Sequence, residues 1–379
     1  MTEILEAVSP RDDKGNDPND HRQDQGYMRR ILGNASTIPG VSRDFQFIGL
    51  TQIRKGLKGT DYLVKPFLER DTTVVFFGES GTYKSFIALD LGLSIAFGVP
   101  YHDYPTHQGA VFYLCGEGKG GIARRVEAWL IKHQLKQQTA PFYVSELPAQ
   151  LIESGNAEAV ATTIQKIATG KNPAFIIIDT LSTNIGNGDE SNNADIARLL
   201  VNVNTHIREQ FKACVMFVHH VGHSDKERER GAYALRGNAD TRILVKPYKG
   251  GCSLHSMKNK DGAPFQPIAF EPSTVVIPRL QDSEGELVTS LTMGQIEYIE
   301  PTKEAALPHQ QAQALAVLKD IAPATPADWK AKLISLKVIK GKSTKQIFYR
   351  LKKALLEAEL IVDNCGLLSP AEENHDEER

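Results

Sequence analysis

The run Asp71-Thr-Thr-Val-Val-Phe-Phe-Gly-Glu-Ser-Gly-Thr-Tyr-Lys-Ser85 places a lysine and a serine just after a glycine-containing turn. That spacing suits the binding of a polyphosphate. Gly78 and Gly81 let the backbone turn tightly and aim amide hydrogens inward. Lys84 would reach the β- and γ-phosphates, and the Ser85 hydroxyl would hold Mg²⁺. The loop from Gly78 through Glu79, Ser80, Gly81, Thr82 and Tyr83 to Lys84, Ser85 and Phe86 is therefore the expected nucleotide cradle, with ATP and Mg²⁺ as its ligands. Tyr83 departs from the usual pattern, which has glycine before the lysine. Its ring would either point outward and stack on the nucleotide or weaken the loop.

Hydrolysis needs a second carboxylate for Mg²⁺ and a group that positions or deprotonates water. Ala174-Phe-Ile-Ile-Ile-Asp179 is an apolar strand ending in an acid, so Asp179 is the candidate for the metal. Without the phosphate loop upstream, the same aspartate would read as a helix cap. Val111-Phe-Tyr-Leu-Cys-Gly-Glu117 ends similarly. If its strand lies beside the phosphate-loop strand, Glu117 faces the γ-phosphate and polarises water; the alternative reading is a turn carboxylate. Val215-Met-Phe-Val-His-His220 ends in two histidines, and His219 or His220 would sense the γ-phosphate. A metal site that includes His223 is the weaker alternative, because no acid or cysteine stands at ligand spacing.

These ends need a scaffold that gathers them. From Thr72 the chain alternates apolar strand-like runs with amphipathic helices. Expected strands are Val74–Phe77, Ala110–Cys115, Phe142–Val144, Phe175–Ile178, Cys214–Val218, Arg242–Lys246 and Cys252–Lys258. Helices are expected over Lys84–Phe97, Gly121–His133, Ala157–Thr169 and Asn193–Phe211. The alternation predicts an α/β fold with a mostly parallel central sheet and an antiparallel extension around Leu244 to Ile277. Residues 1–40 read as a flexible arm, 41–280 as the nucleotide domain and 281–308 as a linker.

Beyond Pro308 the pattern becomes helical, and Ile347, Leu351 and Leu355 make an apolar stripe. A hairpin around Asp363 to Gly366 follows. Residues 309–370 thus read as a small winged-helix-like domain, followed by an acidic tail, 371–379. Lys330 to Lys353 holds nine basic residues and no acid. Lys345, Arg350 and Lys353 are its candidates for nucleic-acid phosphates, with duplex DNA the expected partner of this domain, against a merely solvated helix face.

The net charge of −2 provides no global basic field, so nucleic acid would be held by local patches. The four cysteines include no CxxC pair, which suits a reducing cytoplasm. No apolar run is long enough for a membrane span, and no apolar signal core follows Met1.

The phosphate loop, Gly-Glu after the second strand, Ile-Ile-Ile-Asp-Thr-Leu-Ser and Phe-Val-His-His occur in that order. The set resembles the RecA-like ATPases of the RepA hexameric-helicase type, found in plasmids, phages and mobile elements. Arg230-Gly-Ala-Tyr-Ala-Leu-Arg236 is similar to that family's Arg-Gly-Ser-Ser-x-Leu segment. Lys258-Asn-Lys-Asp-Gly-Ala-Pro-Phe265 resembles a stretch of the RecA recombinases. The likeness covers roughly residues 45 to 275. It implies a RecA-like P-loop core, a homo-oligomer (a hexamer) and ATP sites between subunits. It also implies that Lys258 and Lys260 act on the neighbour's nucleotide, with Arg236 and Arg242 as substitutes. Loops after Asp179 and His220 would face a central channel. There Lys226, Arg228 and Arg230 would touch single-stranded DNA, although Asp225, Glu227 and Glu229 interleave with them and a solvated loop is the alternative. The implied activity is a Mg-dependent ATPase and DNA helicase. The alternatives are an ATP-switched replication initiator or regulator that does not unwind DNA, and a recombinase.

Overall fold

The computed structural model describes residues 47–135, 139–169, 173–222, 229, 233–304, 307–341 and 343–371. The expected arm 1–40, His223, the channel candidates Lys226, Arg228 and Arg230, and nearly all of the acidic tail lie outside them. The chain divides into two units, Met1–Thr60 and Asp61–Arg379. In the first, α1 (Leu50–Lys55) buries none of its residues.

The second unit opens with a small antiparallel pair, β1 (Tyr62–Val64) and β2 (Leu68–Glu69). The parallel strands are β3 (Thr73–Gly78), β4 (Ala110–Cys115), β5 (Phe142–Val144), β6 (Pro173–Asp179), β7 (Cys214–His220) and β8 (Thr241–Tyr248). Antiparallel β9 (Gly251–Asn259), β10 (Ile268–Gln281) and β11 (Leu287–Ile296) extend the sheet. Its order is β11-β10-β9-β8-β3-β7-β6-β4-β5. The central strands read as unbroken apolar runs because both their faces are covered. Phe76, Ile177 and Met216 pack in one layer with Ile87 and Leu91, whereas Phe77, Ile176 and Phe217 pack in the other with Leu199 and Val203.

The helices α2 (Lys84–Phe97) and α3 (Lys119–Lys132) follow β3 and β4. After β5 comes α4 (Ser154–Ala168), and after β6 the short α5 (Leu181–Asn184). The next helix, α6 (Asn193–Val203), runs through a π turn (Asn204–Arg208) into Glu209–Phe211. A short α7 (Tyr233–Asn238) precedes β8. No helix among the described residues is long and apolar enough to cross a membrane.

Two sequence expectations change. The Glu117 strand, β4, does not lie beside β3; β7 and β6 stand between them. Burial on both faces marks all these strands alike, so their apolar runs carry no order. Part of the stretch read as a linker, 281–308, is strand β11, paired with β10 along its length. The polar run Asp282-Ser-Glu-Gly285 at the start of that stretch is the hairpin turn. There Asp282 accepts from the backbone N–H of Glu284 and Glu286, and Gly285 has φ 83°.

After residue 307 three helices, α8 (His309–Ile321), α9 (Pro326–Ser335) and α10 (Thr344–Glu357), precede a hairpin of β12 (Ile361–Asn364) and β13 (Leu367–Pro370). Cys365 and Gly366 form its turn with φ of 53° and 90°. Leu351 and Leu355 of the expected stripe are buried with Leu315, Leu333 and Trp329, and Ile347 packs on that core. The buried Trp329 indole donates to the Ala314 carbonyl at 3.0 Å, so its one polar atom is satisfied. Backbone bonds between Ala324 and Leu368 join the hairpin to the α8–α9 loop.

Candidate nucleotide site

The phosphate loop leaves β3 at Gly78. A Cβ there would stand 2.3 Å from the Val245 carbonyl oxygen, so only glycine lets β8 lie this close. Gly81 has φ 80° with open space beside it. Thr82 closes the turn by donating to the Glu79 carbonyl at 2.8 Å. Lys84, 5% exposed, folds over the loop and donates to the carbonyls of Gly78 (3.0 Å) and Glu79 (2.6 Å). Burial lowers its pKa to about 8, and the nearby Asp179 and Glu117 charges offset part of that effect.

Tyr83 takes the left-handed conformation, φ 61°, that glycine usually provides. Its ring meets Phe86 edge-on at 6.2 Å, and its hydroxyl donates to the Gly250 carbonyl at 3.4 Å. The side chain therefore packs against α2 and the β8–β9 turn, and its contacts compensate part of the backbone cost.

Strand parity gathers the other groups. Phe175 and Ile177 of β6 point into the α2 layer, as do Val111 and Tyr113 of β4 and Met216 and Val218 of β7. Asp179 and His220 continue those alternations on the same side. His219 falls on the opposite parity and is 1% exposed. His220 is half-buried. Burial lowers its pKa first, then the Lys84 charge, while Glu117, Glu190 and Asp179 act the other way. Of the two histidines proposed from sequence, His220 shares the electrostatics of the phosphate loop.

Asp179 is 5% exposed. Burial raises its pKa, and the nearby hydroxyls of Tyr113 and Ser85 pull it back. Its Oδ2 accepts the Tyr113 hydroxyl, whereas its buried Oδ1 has no hydrogen-bond partner among the described residues. An orphaned carboxylate oxygen beside the Ser85 hydroxyl suits Mg²⁺, which takes few protein ligands and keeps several waters. Glu117 is steered by the Thr180 hydroxyl, which donates to its Oε1 at 3.1 Å. The backbone N–H of Gly116 donates to the Asp179 carbonyl at 2.6 Å and joins the two acidic strand ends. Asn184 braces this corner through the carbonyls of Thr180 and Leu114 and the N–H of Ala149. A cavity of about 490 Å³ beside β5 borders on Tyr113, Leu114 and Ala149, and Lys84, Glu117, Asp179 and His220 do not line it.

The cations proposed from sequence lie elsewhere. Lys258 donates to the carbonyls of Ala239 (2.5 Å) and Gly237 (3.4 Å), and Lys260 pairs with Asp240 at 3.1 Å. Asp240 in turn accepts the backbone N–H of Thr73, at the start of β3. The phosphate loop leaves the other end of that six-residue strand, roughly 16 Å away at the usual rise. Arg236 and Arg242 converge on buried Glu229. Arg242 binds it twice, at 2.5 and 2.7 Å, and Arg236 approaches to 3.6 Å.

Sequence reasoning missed Tyr113 and gave Thr180, named only as a neighbour of Asp179, no role. The signal for Tyr113 was a lone phenol in an otherwise apolar buried strand, since such a hydroxyl needs a polar partner. Thr180 follows the metal-site aspartate directly, and its role depended on the unforeseen neighbouring of β4 and β6.

Residues 49–226 match a family model described as an AAA domain. That span runs from before the phosphate loop to just past β7 and contains Lys84, Glu117, Asp179 and His220. The chain carries the core of a P-loop ATPase. No curated protein matches it.

Proposed function

We propose that this ATPase is an oligomeric motor on DNA, of the RepA helicase type, with its nucleotide sites shared between protomers. The position of Lys258 and Lys260 carries the reading. They stand at the end of β3 opposite their own phosphate loop, so a nucleotide phosphate that they reach would be another copy's. Arg236 and Arg242, tied to Glu229, are less suited to that task.

In this reading the loop amides and Lys84 hold the β- and γ-phosphates, and Ser85 with Asp179 holds Mg²⁺. The metal, when bound, neutralises charge on the transferring phosphoryl group. Tyr113 fixes the Asp179 rotamer, so that Oδ1 is left for the metal and its waters. Glu117, oriented by Thr180, takes the proton of the attacking water. His220 senses the γ-phosphate from the end of β7. Lys258 and Lys260 of the adjoining protomer stabilise the charge that develops.

Residues 309–370 act as a winged-helix-like DNA-binding domain attached to this motor. An initiator that switches on ATP without unwinding would use the same C-terminal helices. Strand displacement separates the readings. With Mg²⁺ and ATP, the chain should release a labelled strand from a forked duplex, and Lys84→Ala should not. ATP hydrolysis stimulated by single-stranded DNA without strand release would favour the switch.

A further inference from the structure

The face of the C-terminal helices holds a groove between the start of α9 and the first turns of α10, about 1010 Å³ and open to solvent. Pro326, Ala327 and Phe348 form an apolar lining. Phe348 is held there by edge contact with Trp329 at 5.2 Å. Beside it Tyr349 is 67% exposed, an aromatic ring with a free face. Lys330, Lys345 and Arg350 also line the groove.

The basic residues of α10 fall into two sets. Lys352 is paired with Asp363 at 2.8 Å and Lys353 with Glu357 at 3.7 Å. Among the described residues no carboxylate lines the groove or pairs with Lys330, Lys345 or Arg350. The positive charge left uncompensated on α10 is therefore concentrated around an apolar hollow with an exposed tyrosine.

A duplex offers phosphates and base edges, and its base faces are stacked away. It would leave the tyrosine face and the Pro326–Phe348 lining bare. An unpaired strand offers both of its chemistries at once, phosphates for the cations and a base face for the aromatic ring. We propose that this groove binds a short stretch of single-stranded DNA, one base stacking on Tyr349 while Lys330, Lys345 and Arg350 hold the flanking phosphates. The proposal rests on the reading of the chain as a DNA-binding ATPase. It moves the C-terminal contact from duplex to unpaired strand, and moves the cation set from Lys353 to Lys330.

The test uses the full chain and a labelled oligo-dT carrying one 5-iododeoxyuridine. Irradiation should attach the oligonucleotide to the peptide that contains Tyr349. Tyr349→Ala should weaken oligo-dT binding roughly 5- to 100-fold, the range for a lost stacking partner, and Tyr349→Phe should restore it. Lys345→Gln with Arg350→Gln should lower the log–log salt slope by about 1.4, two single-strand phosphate contacts. Duplex of equal length should compete poorly. Equal competition by duplex, together with an unaltered Tyr349→Ala, would make the cations a duplex-backbone surface and overturn the proposal. Cross-links confined to other parts of the chain, with ATP hydrolysis still stimulated by DNA, would also overturn it but leave the motor reading intact. Absence of any DNA binding at low salt would remove both.

Discussion

Nucleotide affinity should fall above about pH 8, because the lysine that must be charged to bind phosphate is held in a site that lowers its pKa. Lys84 is buried among loop carbonyls, and its pKa is lowered to about 8. Bound phosphates would keep it protonated. Below pH 8 the free protein already carries the charge, so affinity should be flat. Above it, each further unit of pH makes protonation cost up to about 1.4 kcal/mol, or tenfold in affinity. ADP should therefore bind about 10-fold more weakly at pH 9 than at pH 7. The folding linkage has a definite sign. The unfolded lysine titrates near its ordinary value, so between about pH 8 and that value the unfolded chain holds more protons than the folded one. Lys84 then makes the nucleotide-free protein more stable as pH rises through the window, and the penalty is fully present below it. The assay is titration with a fluorescent ADP analogue from pH 7 to 9.5 without Mg²⁺, with melting of the free protein in parallel. Flat affinity to pH 9.5 would refute the buried, depressed lysine. Lys84→Ala should bind weakly, with this pH dependence gone.

Three further outcomes follow from the site's geometry. Glu117→Gln should bind ATP yet turn it over at least ~100-fold more slowly, the usual scale for a lost general base; ordinary turnover would remove Glu117 from the mechanism. Tyr113→Phe should weaken Mn²⁺ binding in the ADP complex roughly 10- to 100-fold, since a hydrogen bond to a charged group contributes about 1.5–3 kcal/mol. Electron paramagnetic resonance reads that directly, and unaltered Mn²⁺ binding would reduce the phenol to a packing role. Gly116→Ala would place a Cβ 1.8 Å from the Thr183 Oγ1 and should destabilise the protein by about 1–3 kcal/mol, measured by denaturant titration.

The local chemistry of this chain was legible because it is written in contiguous residues. The phosphate loop, the Asp179 strand end and the Leu351–Leu355 stripe each carry their own spacing, and each lies in the kind of element expected. What was not legible depends on which strands become neighbours. Glu117 was expected to reach the phosphates from a strand beside β3, but it gains its orientation from Thr180, because β4 borders β6. The choice between His219 and His220 depends on which face of β7 meets α2, and alternation alone gives two equivalent answers. Strand β11 was hidden because the polar turn before it looks like a linker when its partner, β10, is unknown. The ion pairs that distinguish Lys353 from Lys345 likewise depend on the rotamers of a folded helix.

The shared site is tested most directly by mixing two inactive proteins. A Lys258→Ala/Lys260→Ala protein retains Glu117, and a Glu117→Gln protein retains both lysines. Each lacks a different half of the site. ATP hydrolysis is measured for each alone and for the mixture, with single-stranded DNA present and assembly followed by mass measurement. If the lysines serve the neighbouring protomer, mixed assemblies contain some complete sites, and turnover should exceed that of either protein alone. Assembled mixtures no more active than their components would contradict the account, and full turnover by a monomer would contradict it more strongly.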